Sequence, residues 1–225
     1  MAHDIARDAE RVVDTLARGG VAIFPADVGY AVVGNHEAAI ARIFAAKQRS
    51  FEKQCGMFTN WVMFEQLALV NETDRALVHS LIHRHRLPIS VVAPYRSDHL
   101  FFAGLTPLTR ERSSRKGTID MLMNAGALHD AIAALSWARR LPVLGSSANR
   151  SLTGSKYRAE DVEPEVRAAA DLVLDYGPTR YDHPEGMGST ILEMGSLKPI
   201  RRGILFDRIC DIARDETGID PRRLA

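Results

Sequence analysis

The sequence predicts an α/β fold, in which short buried strands alternate with amphipathic helices. Apolar runs such as Val21-Ala-Ile-Phe24 and Ile89-Ser-Val-Val-Ala93 have the length of buried strands. Segments with apolar residues at helical spacing, such as 5–18 and 128–139, accompany them. With 225 residues, of which 46% are apolar, the chain is long enough for a sizeable core, and we predict a single domain over residues 1–225.

The first predicted element is a helix over residues 5–18, which ends at Gly19 because glycine tolerates the left-handed conformation that follows many helices. The segments after it alternate between short apolar runs and stretches with helical spacing. The predicted elements up to residue 93 are strands over 21–24 and 30–33, a helix over 38–47, a strand over 55–59, helices over 61–69 and 73–85, and a strand over 89–93.

Residues 96–117 contain many Arg, Ser and Thr residues and are predicted to form a long loop. The chain has no internal repeat and no low-complexity linker. The predicted elements beyond residue 117 are a strand over 119–123, a helix over 128–139, a strand over 142–144, a partly helical segment over 159–170, strands over 172–174, 190–192 and 198–200, and a helix over 204–214.

Composition excludes several classes of protein. A net charge of +1 argues against a protein that is basic over its whole surface, although a local basic cleft is compatible with it. Cys55 and Cys210 are far apart and lack CxxC spacing, so no disulfide framework or zinc site is expected. No signal core and no run of about 18 apolar residues is found, so we expect a cytoplasmic protein without a membrane segment.

Three cations lie at or just after the end of the predicted helix over 38–47. Lys47 and Arg49 lie at its carboxyl end, and Lys53 comes shortly after them. Cations at this end of a helix can simply stabilise its dipole. Alternatively they bind an anion, because arginine offers a planar fork for carboxylate or phosphate and lysine a mobile charge.

The segment Gly145-Ser-Ser-Ala-Asn149 follows the predicted strand over 142–144. Open α/β sheets bind ligands at the carboxyl ends of their strands. Two hydroxyl groups and an amide can reach a phosphate or a ribose there, although a plain Ser/Asn turn would have the same composition.

Other polar segments have weaker signals. Pro25-Ala-Asp-Val-Gly-Tyr30 joins two predicted strands, and Tyr30 can pack either on a substrate or in the core. Arg201 and Arg202 alternate along a predicted strand, so only one of them can face a given side. The cluster of His83, Arg84, His85 and Arg86 is typical of a solvated helix end rather than of a metal site.

Taken in order along the chain, these segments resemble the YrdC-like family of threonylcarbamoyl-AMP synthases. The resemblance spans roughly residues 10–205 and implies a twisted mixed sheet flanked by helices, with a concave basic cleft. The similar segments are Gly19–Pro25, Pro25–Tyr30, Ile43–Arg49 with Lys53, Leu87–Pro94, Gly117–Met123, Ser146–Asn149, Gly188–Thr190 and Ile200–Gly203.

The resemblance implies a nucleotidyltransferase that makes an acyl-adenylate from L-threonine, bicarbonate and ATP and releases pyrophosphate. Its product would serve the threonylcarbamoyladenosine modification of tRNA. Mg²⁺ would be carried by the ATP phosphates, with no protein-bound metal or prosthetic group. Because little covalent chemistry falls to such a protein, positioning and charge stabilisation would dominate catalysis.

The same resemblance assigns roles to residues. Lys47 and Arg49 are implied as catalytic residues that hold the carboxylate and the phosphates. The implied substrate-binding residues are Tyr30, Lys53, Ser90 and Thr118. The implied nucleotide-binding residues are Ser146, Ser147, Asn149, Ser189 and Arg201.

The chain also departs from the family pattern. Ala26 and Val28 stand where the family has threonines, Asp120 replaces a glycine, and Leu122 replaces an arginine of the cleft. The candidates for replacing that lost charge are Arg115, Lys116 and Arg202. Two further interpretations are therefore a diverged paralogue that adenylates another carbamate or carbamoyl donor, and a non-catalytic module that binds double-stranded RNA or tRNA.

Overall fold

The computed structural model, which describes residues 3–49 and 53–224, is built around one mixed sheet of ten strands. The strands are β1 (Ala22–Ala26), β2 (Gly29–Gly34), β3 (Gly56–Phe58), β4 (Ile89–Pro94), β5 (Ser114–Arg115), β6 (Thr118–Met123), β7 (Leu144–Ser147), β8 (Leu172–Val173), β9 (Ile191–Glu193) and β10 (Pro199–Arg201). The order across the sheet is β10-β9-β4-β6-β3-β7-β2-β1-β8, with β5 paired to β6.

Eight α-helices are described around this sheet. They are α1 (Ile5–Ala17), α2 (Glu37–Ala46), α3 (Trp61–Leu67), α4 (Glu72–His79), α5 (Pro107–Ser113), α6 (Ala127–Arg139), α7 (Pro164–Ala168) and α8 (Phe206–Thr217). A π-helical turn over Ser80–Arg84 continues α4, so the predicted helix over 73–85 is recovered as two adjoining elements. None of the described helices has the length and apolarity needed to cross a membrane. The α/β prediction is confirmed.

The two faces of the sheet are covered by different helices. Along β1 and β2, alternate residues such as Ile23 and Val32 join the core cluster that includes α2 and α3. Their neighbours Phe24 and Val33 pack instead with α1 and α6. The sheet is therefore buried on both faces near β1 and β2.

Helix α1 forms as its sequence predicts. The Asp4 side chain accepts a hydrogen bond from the Arg7 backbone N–H at 3.1 Å and caps the first turn. Four apolar side chains on one face are fully buried. They are Ala9, Val12, Val13 and Leu16. The helix ends before Gly19, which has the positive φ of 79° that favours glycine.

The prediction of a long loop over 96–117 was wrong. The segment contains a 3₁₀ turn over Leu100–Phe102, helix α5 and strand β5. The Thr106 hydroxyl accepts from the Thr109 backbone N–H at 3.2 Å, and Pro107 begins the helix, where its missing N–H has no cost. This capping signal outweighs the polar composition of the segment.

Strand β7 also lies further along the chain than predicted. The prediction placed it over 142–144, whereas it runs over Leu144–Ser147 and pairs antiparallel with β2. Gly145 and the two serines after it therefore belong to the strand rather than to a turn beyond it. A Cβ on Gly145 would lie 2.2 Å from the Val32 carbonyl oxygen, so only glycine fits there.

Candidate functional site

A cavity of about 620 Å³ opens on the sheet face that carries α1 and α6. Its floor consists of small residues on neighbouring strands, among them Ala31, Gly56, Ser90 and Gly145. Small side chains on a sheet face leave a depression, and this volume suits a small-molecule ligand. The described cations in its lining are Lys47, Arg49, Lys53 and Arg201.

Lys47 joins the end of α2 to the end of β7. Its Nζ donates to the carbonyl oxygen of Ser147 and, at 2.6 Å, to that of Asn149. The Lys47 carbonyl in turn accepts from the Ser151 backbone N–H at 2.8 Å. Through these bonds Lys47 clamps the segment 147–151, and because only 1% of the residue is exposed it acts on the cavity through its charge. The Lys47 side chain thus bonds to the segment after β7 and does not cap α2.

Burial lowers the pKa of the Lys47 ammonium to about 7, and the nearby Arg49 cation adds to this effect. The amine therefore gains charge when an anion enters the cavity, because the anion stabilises the ammonium form. A proton must be taken up whenever the pH lies above the starting pKa.

We therefore expect the affinity for sulfate, an anion without its own titration near neutrality, to fall as pH rises above about 7. The fall approaches tenfold per pH unit for one linked proton. Calorimetric titration between pH 6 and about 9 measures it. Lys53→Met, at an exposed position, should keep this dependence of affinity on pH. Loss of the pH dependence in Lys53→Met would contradict its assignment to Lys47.

Arg49 holds the chain at the mouth of the cavity. Its Nε donates to the Lys53 carbonyl at 3.0 Å, and its Nη2 to the Gln54 carbonyl. Its Nη1 donates to Ser146 Oγ at 3.1 Å. Desolvation by burial lowers the Arg49 pKa, but a guanidinium keeps its charge at any ordinary pH. Arg49 thus fixes a serine hydroxyl of β7 and presents a cation to the cavity.

The residues after β7 form a tight polar turn. The Ala148 backbone N–H donates to the Tyr30 carbonyl at 2.7 Å. The Ser147 hydroxyl donates to Asn149 Oδ1, and the Asn149 amide nitrogen donates to the Arg150 carbonyl. The turn therefore has a fixed shape and keeps Ser146 and Ser147 at the cavity surface.

A second hydrogen-bonded group faces this turn from the other side. Arg201 donates through Nε to the Ser189 carbonyl and through Nη2 to Ser189 Oγ, both at 2.8 Å. The Ser189 hydroxyl lies 3.2 Å from Ser90 Oγ on β4. A Cβ on Gly188 would lie 3.1 Å from Arg201 Nη2, so glycine leaves room for this guanidinium. As predicted, only one of the two adjacent arginines faces the cavity, since Arg202 lies over the Phe206 ring.

Tyr30 borders the cavity but its hydroxyl points elsewhere. The ring is fully buried, and the hydroxyl contacts Asp175 Oδ1 at 2.9 Å and the Gly177 carbonyl at 2.8 Å. Burial, helped by the Asp175 carboxylate, raises the pKa of the phenol. Tyr30 thus anchors the chain around residue 177, and its predicted contact with substrate stays a prediction.

Thr118 is the one predicted site residue that the structure does not bring to the cavity. Its hydroxyl donates to the Arg115 carbonyl at 2.8 Å, at the start of β6. Alternation along β6 does place it on the same face as the cavity residues, but it lies beyond the edge of the cavity. The three candidates for replacing the lost arginine charge, Arg115, Lys116 and Arg202, also lie outside the lining.

Sequence reasoning missed Asp120 as a site residue. It lies on β6 in the cavity lining, two residues before Leu122, and Oδ1 is excluded from solvent without a hydrogen-bond partner in the described residues. Burial raises the pKa of its carboxyl, although Arg201, a hydrogen bond from Ser90, and Arg49 oppose this. The alternating pattern of β6 was the available signal, since residues 120 and 122 share a face.

Another part of the lining is apolar. Ala26 and Val28 pack in one cluster with Leu122, and Phe58 lies beside them on β3. The cavity therefore has a cationic side and an apolar side. Within residues 3–49 and 53–224, no three His, Cys, Asp or Glu side chains converge as a metal site would require.

The chain is thus an α/β protein whose mixed sheet carries a ligand-sized cavity lined in part by arginine, lysine and serine side chains. The chain belongs to the Sua5/YciO/YrdC family, whose model, described as telomere recombination, matches residues 14–203. The family resemblance noted in the sequence is thereby confirmed. None of the curated proteins matches the chain.

Solved structures share the fold. Sua5 from P. abyssi, as a double variant, has 21% identity and a TM-score of 0.72 over 95% of this chain. The chain spans 58% of the length of that protein. The hypothetical protein smu.1377c from Streptococcus mutans UA159 has 18% identity and a TM-score of 0.73, covering 93% of this chain and 92% of its own. YciO from E. coli has 17% identity and a TM-score of 0.66, covering 88% and 90%. These likenesses confirm the predicted twisted mixed sheet flanked by helices.

Proposed function

We propose that this chain is a nucleotidyltransferase of the threonylcarbamoyl-AMP synthase type, which forms an acyl-adenylate from an amino acid, bicarbonate and ATP. The observation that carries the proposal is the convergence of Arg49, Arg201 and two β7 serines on one small-molecule cavity. A family match over residues 14–203 supports the reaction class. We further propose that the chain acts as one cytoplasmic domain.

The proposed reaction needs no protein nucleophile. The amine of the amino acid and bicarbonate give a carbamate with loss of water, and a carbamate oxygen attacks the α-phosphorus of ATP. The bond from that phosphorus to the bridging oxygen breaks, and pyrophosphate leaves with the electron pair. Since charge develops on phosphate oxygens, fixed cations and hydroxyl donors are the groups that lower this barrier.

Roles for the described residues follow from their contacts. Arg49 and Arg201 supply cations that are already held in place by hydrogen bonds. Ser146 and Ser147 offer hydroxyls at the cavity surface, and Lys47 fixes the turn that carries them. Mg²⁺ would arrive with the ATP phosphates, because it prefers phosphate oxygens and water to a protein cage.

L-Threonine is the first amino acid to consider as substrate. P. abyssi Sua5, which has 22% identity to this chain, has been crystallised with L-threonine, and the chain covers 57% of that protein. The apolar side of this cavity nevertheless favours a second candidate, a paralogue that adenylates another carbamate or carbamoyl donor, since the side chains of Ala26, Val28 and Leu122 offer no hydrogen bond. Binding of double-stranded RNA or tRNA stays a prediction from the family resemblance.

The test is an incubation of the full chain with Mg²⁺, ATP and bicarbonate, with each amino acid in turn. We expect pyrophosphate release that depends on both bicarbonate and one amino acid, with an acyl-adenylate of matching mass. Omission of bicarbonate is the control, because unspecific ATP hydrolysis does not need it. Absence of an acyl-adenylate with every amino acid would refute the proposal.

A further inference from the structure

Asp120 is a carboxylate of the cavity lining that is only partly hydrogen-bonded: the Ser90 hydroxyl bonds to it, and one carboxylate oxygen is left over. Its Oδ1 has no hydrogen-bond partner among the described residues and is excluded from water. Space for the carboxylate depends on Gly56, where a Cβ would lie 3.0 Å from Asp120 Oδ2. A buried acceptor without a donor is unfavourable, so a ligand whose donor reaches this carboxylate would be favoured.

The cations nearby do not supply it. Both Arg49 and Arg201 are near enough to influence the Asp120 charge. Yet Arg49 donates to Ser146 and to two carbonyls, and Arg201 donates to Ser189. The carboxylate therefore lies beside the cations rather than paired with them, and the Ser90 hydroxyl links it to Ser189.

The position restricts the chemistry of the ligand. A carboxylate repels a polyanion and attracts a group with a polarised N–H. Leu122, two residues along the same strand face, adds an apolar surface with Phe58. A ligand that satisfies all three surfaces has an anionic group, an N–H donor next to it and a small apolar part, as an amino acid or its carbamate has.

We propose that Asp120 is a specificity-determining residue, whose carboxylate accepts a hydrogen bond from the nitrogen of an amino-acid substrate. The proposal rests on the proposed function, which it deepens by naming the group that recognises the substrate nitrogen. The same carboxylate weakens binding of free ATP, so that the two substrates are discriminated by opposite effects of one residue.

The test compares ligands that differ only in the nitrogen. The probes are L-threonine against (R)-3-hydroxybutyrate, L-valine against isovalerate, and ATP, with binding followed by ligand-observed NMR. The variants are Asp120→Leu and Asp120→Asn, and the matched control is Asp14→Asn, which removes a charge from an exposed pair with Arg139. No turnover is needed, so the result is independent of the activity assay.

Wild type should prefer at least one amino acid over its nitrogen-free partner by about tenfold or more, as a charge-assisted hydrogen bond provides. Asp120→Leu should lose this preference while ATP binds more tightly, and Asp120→Asn should lie between. A variant that is merely misfolded would bind all probes more weakly and would melt lower. No preference in wild type, or a preference that survives in Asp120→Leu, would overturn the proposal.

Discussion

Replacing Arg49 by alanine is expected to weaken pyrophosphate binding by about 10- to 150-fold, because charge-assisted hydrogen bonds contribute about 1.5–3 kcal/mol. The loss has two sources. A cation leaves the cavity, and Ser146 Oγ loses the donor that holds it at 3.1 Å. Turnover in the acyl-adenylate assay should fall at least as far. Calorimetric titration with pyrophosphate measures the affinity directly.

Two further variants test the cause of that loss. Arg49→Lys should rescue little, since the guanidinium bonds to Ser146 and two carbonyls through three separate nitrogens, whereas a lysine has a single nitrogen. Arg202→Ala is the matched control, because it removes the same charge from a residue outside the cavity lining. Equal loss of affinity in Arg202→Ala would mean that only net charge matters.

Replacing Lys47 by methionine is expected to lower the free energy of unfolding by about 1–3 kcal/mol. Methionine preserves the buried chain but leaves the Ser147 and Asn149 carbonyls without their donor. For a chain of this size the melting temperature should drop by about 2–4 °C for each kcal/mol. Thermal melting followed by circular dichroism provides the measurement.

The control for this variant is Lys53→Met, which removes an exposed lysine of the same cavity and should leave the melting temperature nearly unchanged. Ligand affinity should fall in Lys47→Met as well, because the turn over 147–151 loses its clamp. A Lys47→Met protein as stable as wild type would show that the clamp contributes nothing.

Most helices and strands follow from local patterns in the sequence. Helix α1 has a cap at Asp4, a four-residue apolar face and a glycine stop, and each of these signals is local. The predicted position of β7 is wrong because serines such as Ser146 and Ser147 are typical of turns. In the structure these two residues belong to a strand because they pair with β2, which is distant in the sequence. Such pairing depends on the partner strand, so no local pattern contains it.

For a similar reason, the sequence predicts which residues surround the candidate site better than it predicts their contacts. Family segments pointed to the residues around the cavity, apart from Thr118, but they did not show what each side chain does there. The Lys47 ammonium bonds to backbone carbonyls, and the Tyr30 hydroxyl bonds to the Gly177 carbonyl. In the sequence, Asp120 is only a departure from the family pattern, because the space for its carboxylate depends on Gly56 from another strand.

The order of strands in the sheet also has a consequence for how the protein folds. Ala31 pairs with Ser147, and Ser90 pairs with Ile191, so the cavity floor joins segments about a hundred residues apart in the chain. Contacts this remote are slow to form, since a long loop must close before they are made. The cavity can exist only once the central strands have assembled. A ligand at 100 times its Kd would therefore stabilise the whole chain by about 2.7 kcal/mol, and thermal unfolding should report its binding even without turnover.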